Sequence, residues 1–198
     1  MIIITGEKTP MSRKKTNPSR TPSAISEEEA RRLIESEVDR MILYAWALVL
    51  GAMADRPDTT AESLMDFCET VSDGSGRLRN RGDVRTCLSA LEELTGLKFP
   101  FHTLPVTGVR TKRDVERLRR KADENSIHSM FALIADAALA RGLITKEYAG
   151  SLFRKAYVLE EELSEGRISL QDLLGVLEEE FGLLLVAKGA GISLRYAA

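Results

Sequence analysis

The chain contains no apolar run long enough to cross a bilayer. Its longest is the fourteen-residue segment 41–54, MILYAWALVLGAMA, whereas a membrane-spanning helix needs about 20 apolar residues. A secretory signal is not expected either, because the first basic residues follow a short apolar run instead of preceding a long one. We therefore expect a cytoplasmic protein with no membrane partner.

Cysteine and histidine are equally scarce. The two cysteines, Cys68 and Cys87, lie in helical apolar patterns, and their spacing fits neither a disulfide framework nor a metal site. The histidines are His102, between two prolines, and His128, within an apolar helical pattern. No cysteine has the setting of a known nucleophile, so we expect both to be small core residues.

The remaining candidates for catalysis are weak. Consecutive glutamates on a helix diverge by about 100° each, so the triplets 160–162 and 178–180 do not converge as an acid–base pair and are expected to face solvent. The sequence Gly189-Ala190-Gly191 lacks the third glycine and the strand–turn–helix context of a dinucleotide site. The sequence therefore predicts no enzyme and no cofactor.

What the chain does have is segregated charge. Residues 77–121 carry twelve basic and five acidic side chains, a net charge of +7 in a protein of net charge −2. The flanking segments are acidic, with −8 over residues 26–76 and −5 over residues 145–182. Charge sorted in this way creates a field that selects partners by sign.

The first 25 residues predict a disordered basic arm. Residues 8–25 have three prolines and five basic residues, no acidic residue and almost no apolar content. Met11 is an alternative start to Met1. After the arm, the pattern predicts a helical subdomain at 26–96, a proline-containing connector at 97–110, a second helical subdomain at 111–182, and a tail or short hairpin at 183–198.

The fold class is predicted to be all-α, with about six helices around a central apolar helix. From Leu33 to about Asp55, apolar residues recur at spacings of three and four, which predicts one helix. The second half of this helix is apolar nearly all round, which places Trp46 in the core. Capping residues predict helix starts at Ser26, within residues 59–62, and at Asp83, Thr111, Thr145 and Ser169. Glycines predict helix ends at Gly96, Gly142 and Gly182. We also expect the second helix to weaken at Gly74 and Gly76, and a break at Asn125–Ser126.

One helix pair resembles an EF-hand. In the stretch 161–172, Gly166 and Ile168 occupy the sixth and eighth positions of a twelve-residue calcium loop. The ligand positions depart from that pattern, because they hold Leu163, Glu165, Arg167 and Asp172. We expect a plain helical hairpin closed by Gly166 and assign no metal.

The basic block is the strongest functional signal. On a helix beginning near Lys112, one face is opposite the apolar residues Val115, Leu118 and Ala122. That face carries four basic residues, Arg113, Arg117, Arg120 and Lys121. Guanidinium groups bind phosphate in a bidentate manner, so this stripe suits a nucleic-acid backbone. Base reading is not predicted, because no aromatic residues are interleaved with the arginines. The predicted nucleic-acid-binding residues are Arg77, Arg79, Arg81, Arg85, Arg110, Lys112, Arg113, Arg117, Arg120 and Lys121.

Two other interpretations of the charge remain open. In the first, the arginines neutralise the protein's own acidic segments, as an internal ion-pair network. Alternatively, the protein is an interaction module or an inhibitor of a larger nucleic-acid-processing enzyme, of the kind that mobile genetic elements encode. In that case the acidic C-terminal helices mimic a polyanion and occupy a basic groove on the partner, through Glu160, Glu161, Glu162, Glu178, Glu179 and Glu180.

Overall fold

The computed structural model describes residue 28 and residues 38–78, 84–104, 111–188 and 191–197. The predicted arm, the helix start near Ser26, the cap at Asp83 and the second half of the connector lie outside these ranges. Within them, the chain forms six helices and a two-stranded antiparallel sheet, which confirms the all-α prediction. In chain order the elements are α1 (Val38–Ala54), α2 (Ala61–Leu78), α3 (Val84–Thr95), α4 (Lys112–Ala140), α5 (Lys146–Ser164), α6 (Leu170–Phe181), β1 (Leu183–Lys188) and β2 (Gly191–Tyr196).

Helix α1 is the centre of the fold, as its sequence predicts. It packs against α4, α5 and α6, and residues 45–50 are all buried. Trp46 is only 3% exposed, and its ring meets the edge of Phe67 on α2 at a centroid distance of 6.3 Å. The second half of α1 is apolar nearly all round because other helices pack against it on several sides.

The helix ends follow the capping chemistry read from the sequence. Thr111 and Ser169 each form a reciprocal capping box with the aspartate three residues later, and Thr145 accepts from the amide of Tyr148. Gly96 ends α3 with φ at 71°, a left-handed conformation that glycine adopts without steric cost. These predicted ends are confirmed.

The break expected at Asn125–Ser126 is wrong, whereas the weakening expected at Gly74 and Gly76 stays a prediction. Helix α2 continues through Gly74 and Gly76 to Leu78, and α4 runs unbroken through Asn125 and Ser126. Asn125 is buried and its amide bonds the backbone of His102, while Ser126 Oγ donates to the Ala122 carbonyl within the helix. Both polar side chains thus have partners that leave the helical hydrogen bonds intact.

Of the tail or short hairpin expected at 183–198, the structure forms the hairpin. Its register pairs Leu183 with Tyr196 and Lys188 with Gly191. The hairpin packs on α2, where Ser72 Oγ donates to the Ile192 carbonyl at 3.2 Å.

One hydrophobic core includes side chains from the segments before and after the connector. Phe99, which lies in the connector, belongs to the same core. The subdomain boundary at 97–110 stays a prediction. In the part of the chain that the structure describes, no helix is both long enough and apolar enough to span a bilayer.

Candidate nucleic-acid interface

The first three turns of α4 carry the basic stripe, which we define as Arg113, Arg117 and Arg120. The capping box of Thr111 and Asp114 fixes where the helix starts and hence which way each side chain points. Val115 and Leu118 are buried, whereas the three arginines are exposed. The amphipathic arrangement expected from the sequence is therefore present.

The stripe has few internal partners. Arg120 lies 3.8 Å from Glu116, and the two side chains are 81% and 69% exposed, so this pair contributes little. Among the described residues, Arg113 and Arg117 have no ion-pair partner. The three arginines line a shallow depression of about 520 Å³ together with Asp114 and Glu116. Two guanidinium groups thus remain available for an external anion.

The other predicted basic residues are not all placed beside the stripe. Lys112 is exposed at the start of α4 and Lys121 is half-buried on it. Arg85, on α3, lies 5.8 Å from the ring centroid of Phe101 in the connector. The side chain of Arg77 lies outside what the structure describes, as do residues Arg79, Arg81 and Arg110.

Beyond Arg120 the same face of α4 enters a groove of about 710 Å³, which we call the α4–α5 groove. Side chains from α1, α4 and α5 form its walls, and four of them are carboxylates. Burial raises the pKa of one, Asp123, against the lowering effect of Arg119 and Arg40. The lining residues are Met41, Tyr44, Arg120, Asp123, Glu124, Ile127, His128, Tyr157, Glu160, Glu161, Leu163 and Ser164.

A buried histidine–glutamate pair forms the inner end of this groove. The side chain of His128 is 2% exposed; its Nε2 lies 3.2 Å from Glu160 Oε2, and its Nδ1 lies 3.1 Å from the Pro100 carbonyl oxygen. Both ring nitrogens thus face oxygen acceptors. A neutral imidazole has only one N–H, so the imidazolium form satisfies this site best.

The pKa of His128 reflects the same balance. Burial lowers it, but the hydrogen bond and charge of Glu160, the Pro100 carbonyl and the charge of Glu124 together raise it above its ordinary value. The prediction that residues 160–162 face solvent is therefore wrong for Glu160, whose side chain is only 14% exposed. It was wrong because Glu160 and His128 are brought together by the packing of α5 on α4, which the local pattern does not contain.

His102 anchors the connector to the same stretch of α4. Its Nε2 lies 2.8 Å from Glu124 Oε2, and its backbone exchanges two hydrogen bonds with the side-chain amide of Asn125, at 2.7 and 2.8 Å. With the Pro100 contact to His128, these bonds fix the connector across the helix. Both histidines of the chain are thus paired with glutamates.

The remaining acidic residues divide into held and exposed groups. Glu162 is bonded to Arg167, whereas Glu161, Glu178, Glu179 and Glu180 are exposed. In the EF-hand-like stretch, the Asp172 carboxylate accepts from the Ser169 amide and hydroxyl, which lowers its pKa. Within the described ranges, no three His, Cys, Asp or Glu side chains converge as a metal site.

The two cysteines differ in burial. Cys68 is buried, and burial raises the pKa of its thiol to about 11 against weak lowering by Ser72 and the Leu194 backbone. Cys87 is half-buried, so the prediction of a core position is confirmed fully only for Cys68.

Comparison of the chain with protein-family models, with curated proteins and with solved structures finds no match. The candidate site therefore depends on the geometry of this chain alone.

Sequence reasoning missed the tyrosines of the groove. Tyr44 lies on α1 and Tyr157 on α5, yet both line the groove that Arg120 also lines. The only local signal was the spacing of Arg120, Glu124 and His128 on one face of α4, which indicates that the polar face extends past the stripe.

Proposed function

We propose that this protein is a non-enzymatic binding protein that engages nucleic acid, or a ribonucleoprotein, through the basic stripe of α4. The observation that carries the proposal is the exposure of three arginines on one helical face, two of them without an ion-pair partner among the described residues. Exposed guanidinium groups bind phosphate oxygens with charge-assisted, bidentate hydrogen bonds. Contacts of this kind release counterions, which makes the affinity strongly dependent on salt.

The spacing of the stripe suits a phosphate backbone. From Arg113 to Arg120 the helix axis rises about 10 Å. This length corresponds to about three nucleotides of a stacked strand, which carries one phosphate per 3.4 Å or so. Three arginines over this length can each contact a phosphate.

The buried pair of His128 and Glu160 is the main reason to propose binding instead of catalysis. A general acid or base must come within hydrogen-bond reach of its substrate. His128 is almost fully enclosed, and both its nitrogens already have partners.

The proposed place of action is the cytoplasm.

The test is the triple variant Arg113→Gln, Arg117→Gln, Arg120→Gln. We expect weaker binding to DNA or RNA by roughly one to three orders of magnitude at low salt. The matched control is Arg141→Gln, Lys146→Gln, Arg195→Gln, which removes three exposed positive charges from other parts of the surface. An equal loss in both triples would mean that net charge, and not the stripe, sets the affinity.

The second candidate function is that of a protein-interaction module, which presents the acidic surface of α6 to a basic groove on a partner. The partner is then an enzyme that this protein inhibits, and the protein is the product of a mobile element. Glu178, Glu179 and Glu180 are all exposed and have no ion-pair partner among the described residues. Changing these three to glutamine would abolish function under this hypothesis and leave it intact under the first. A pull-down from the native host with and without nuclease separates the two.

A further inference from the structure

The basic stripe and the α4–α5 groove form one continuous surface. Arg120 lines both the depression at the stripe and the groove. Arg113, Arg117, Arg120, Glu124 and Ile127 are three or four residues apart, so they follow one face of α4. From Arg120 to Ile127 the axis rises about another 10 Å. A strand whose phosphates lie on the stripe therefore reaches the groove within a few nucleotides.

The groove is suited to a planar ring. Tyr44 and Tyr157 contribute aromatic side chains to walls that also contain Met41 and Ile127. The Tyr157 ring is held in place, because it stacks on His128 at a centroid distance of 6.1 Å and meets the edge of Phe99 at 5.4 Å. Aromatic side chains beside a basic track are the platforms on which unpaired bases stack. The volume of about 710 Å³ is ample for one base.

The four carboxylates of the groove differ in their hydrogen-bond partners. Glu124 and Glu160 are bonded to the two histidines. Among the described residues, the carboxylates of Asp123 and Glu161 accept no hydrogen bond. An ionised carboxylate can only accept, so the ligand must present donors.

Among the bases, guanine meets this requirement best. Its N1–H and N2–H₂ groups point the same way and match the two oxygens of one carboxylate. The single N–H of thymine or uracil lies between two carbonyl oxygens, which a carboxylate repels. A free base edge is also a property of single strands, where bases are not paired within a duplex.

We propose that the α4–α5 groove holds a guanine base of a single-stranded nucleic acid whose phosphates lie on the basic stripe. Tyr44 and Tyr157 flank the ring, and Asp123 or Glu161 accepts from its Watson–Crick edge. This inference rests on the proposed function and adds to it a strand type and a base.

The experiment measures anisotropy of three labelled eight-nucleotide oligonucleotides, in DNA and RNA versions. One contains only thymine or uracil, the second has one central guanine, and the third has inosine, which lacks the N2 amine, at that position. Wild-type protein is expected to prefer the guanine strand by about tenfold or more, with inosine intermediate, because each good bidentate contact discriminates by that order.

The decisive variants are Glu161→Gln and Asp123→Asn. Removing a negative charge beside a polyanion should strengthen all binding if the carboxylates only repel. The proposal predicts the opposite sign for guanine: at least one variant loses most of the preference, while binding of the all-pyrimidine strand is unchanged or tighter. Glu161 is exposed, so its variant tests the idea even if Asp123→Asn fails to fold. Glu179→Gln is the control outside the groove.

The outcomes separate this inference from the proposed function. Wild-type protein that binds every strand equally, with an affinity that depends on the stripe, overturns the guanine site and keeps the backbone interface. A preference that both variants retain also overturns it. Wild-type protein that binds no strand at low salt overturns both.

Discussion

Glu160→Gln should weaken the stabilisation that the protein gains from protonated His128. The glutamine oxygen can still accept from His128 Nε2, so the variant removes the charge and keeps the hydrogen bond. With the negative charge gone, burial lowers the pKa of His128 against the retained hydrogen bond, the Pro100 carbonyl and the charge of Glu124. The change therefore isolates the electrostatic part of the interaction.

The expected size follows from the geometry. At 3.2 Å and an effective dielectric constant of about 20, the attraction is about 5 kcal/mol, and burial of both groups offsets part of it. A close opposite charge typically moves a pKa by about one to three units, and each unit corresponds to about 1.4 kcal/mol. We therefore expect Glu160→Gln to lower the free energy of unfolding by about 1–4 kcal/mol where the histidine is charged.

The sign of the pH dependence follows from the raised pKa of His128 in the folded state. The stabilisation is fully present below the ordinary value near 6.5, and it is lost as pH rises through the raised folded value. The difference between wild type and Glu160→Gln should thus be largest at about pH 6 and below, and shrink as pH rises through the raised folded pKa.

Urea unfolding followed by Trp46 fluorescence between about pH 5.5 and 9 measures this directly. Glu179→Gln, an exposed change of the same charge, should shift stability by less than about 0.5 kcal/mol at every pH. Parallel curves for the two variants would refute the argument, as would NMR titration that finds His128 neutral at pH 6 in the wild-type protein.

Two further predictions concern packing and reactivity. Gly150→Ala should lower the free energy of unfolding by about 1–3 kcal/mol, because the added Cβ would lie 2.5 Å from the Leu94 carbonyl oxygen. The matched Gly175→Ala, whose added Cβ meets open space, should raise the free energy of unfolding by roughly 0.5–1 kcal/mol. Equal melting temperatures of the two variants would contradict both expectations. In the native protein at pH 8, iodoacetamide should modify Cys68 far more slowly than Cys87, because burial raises the pKa of Cys68 to about 11; mass spectrometry that finds Cys68 alkylated first would disprove this.

Much of the fold was predictable because it is encoded locally. Caps at Thr111 and Ser169, left-handed glycines at helix ends and the apolar circumference of α1 are properties of short segments. The break expected at Asn125–Ser126 is wrong for a reason that no short segment contains. A polar residue such as Asn125 suggests a break when read alone, but here it is satisfied by a segment 23 residues away.

The candidate site was predictable only in part for the same reason. The basic stripe lies on one helix and follows from its spacing. The groove does not, because it requires α1, α4 and α5 to meet around His128, and the connector to cover that residue through Pro100. Contacts between distant segments of this kind are set by tertiary packing and leave no periodic pattern.

The most direct test of the central claim is the salt dependence of nucleic-acid binding by wild-type protein and by the variant in which Arg113, Arg117 and Arg120 are glutamine. The account predicts a steep linear fall of log affinity with log salt for wild type, a slope smaller by about two to three in the variant, and unchanged unfolding free energy. Wild-type protein that binds neither DNA nor RNA at low ionic strength would contradict the claim, and a triple variant that unfolds would assign the arginines to an internal ion-pair network instead.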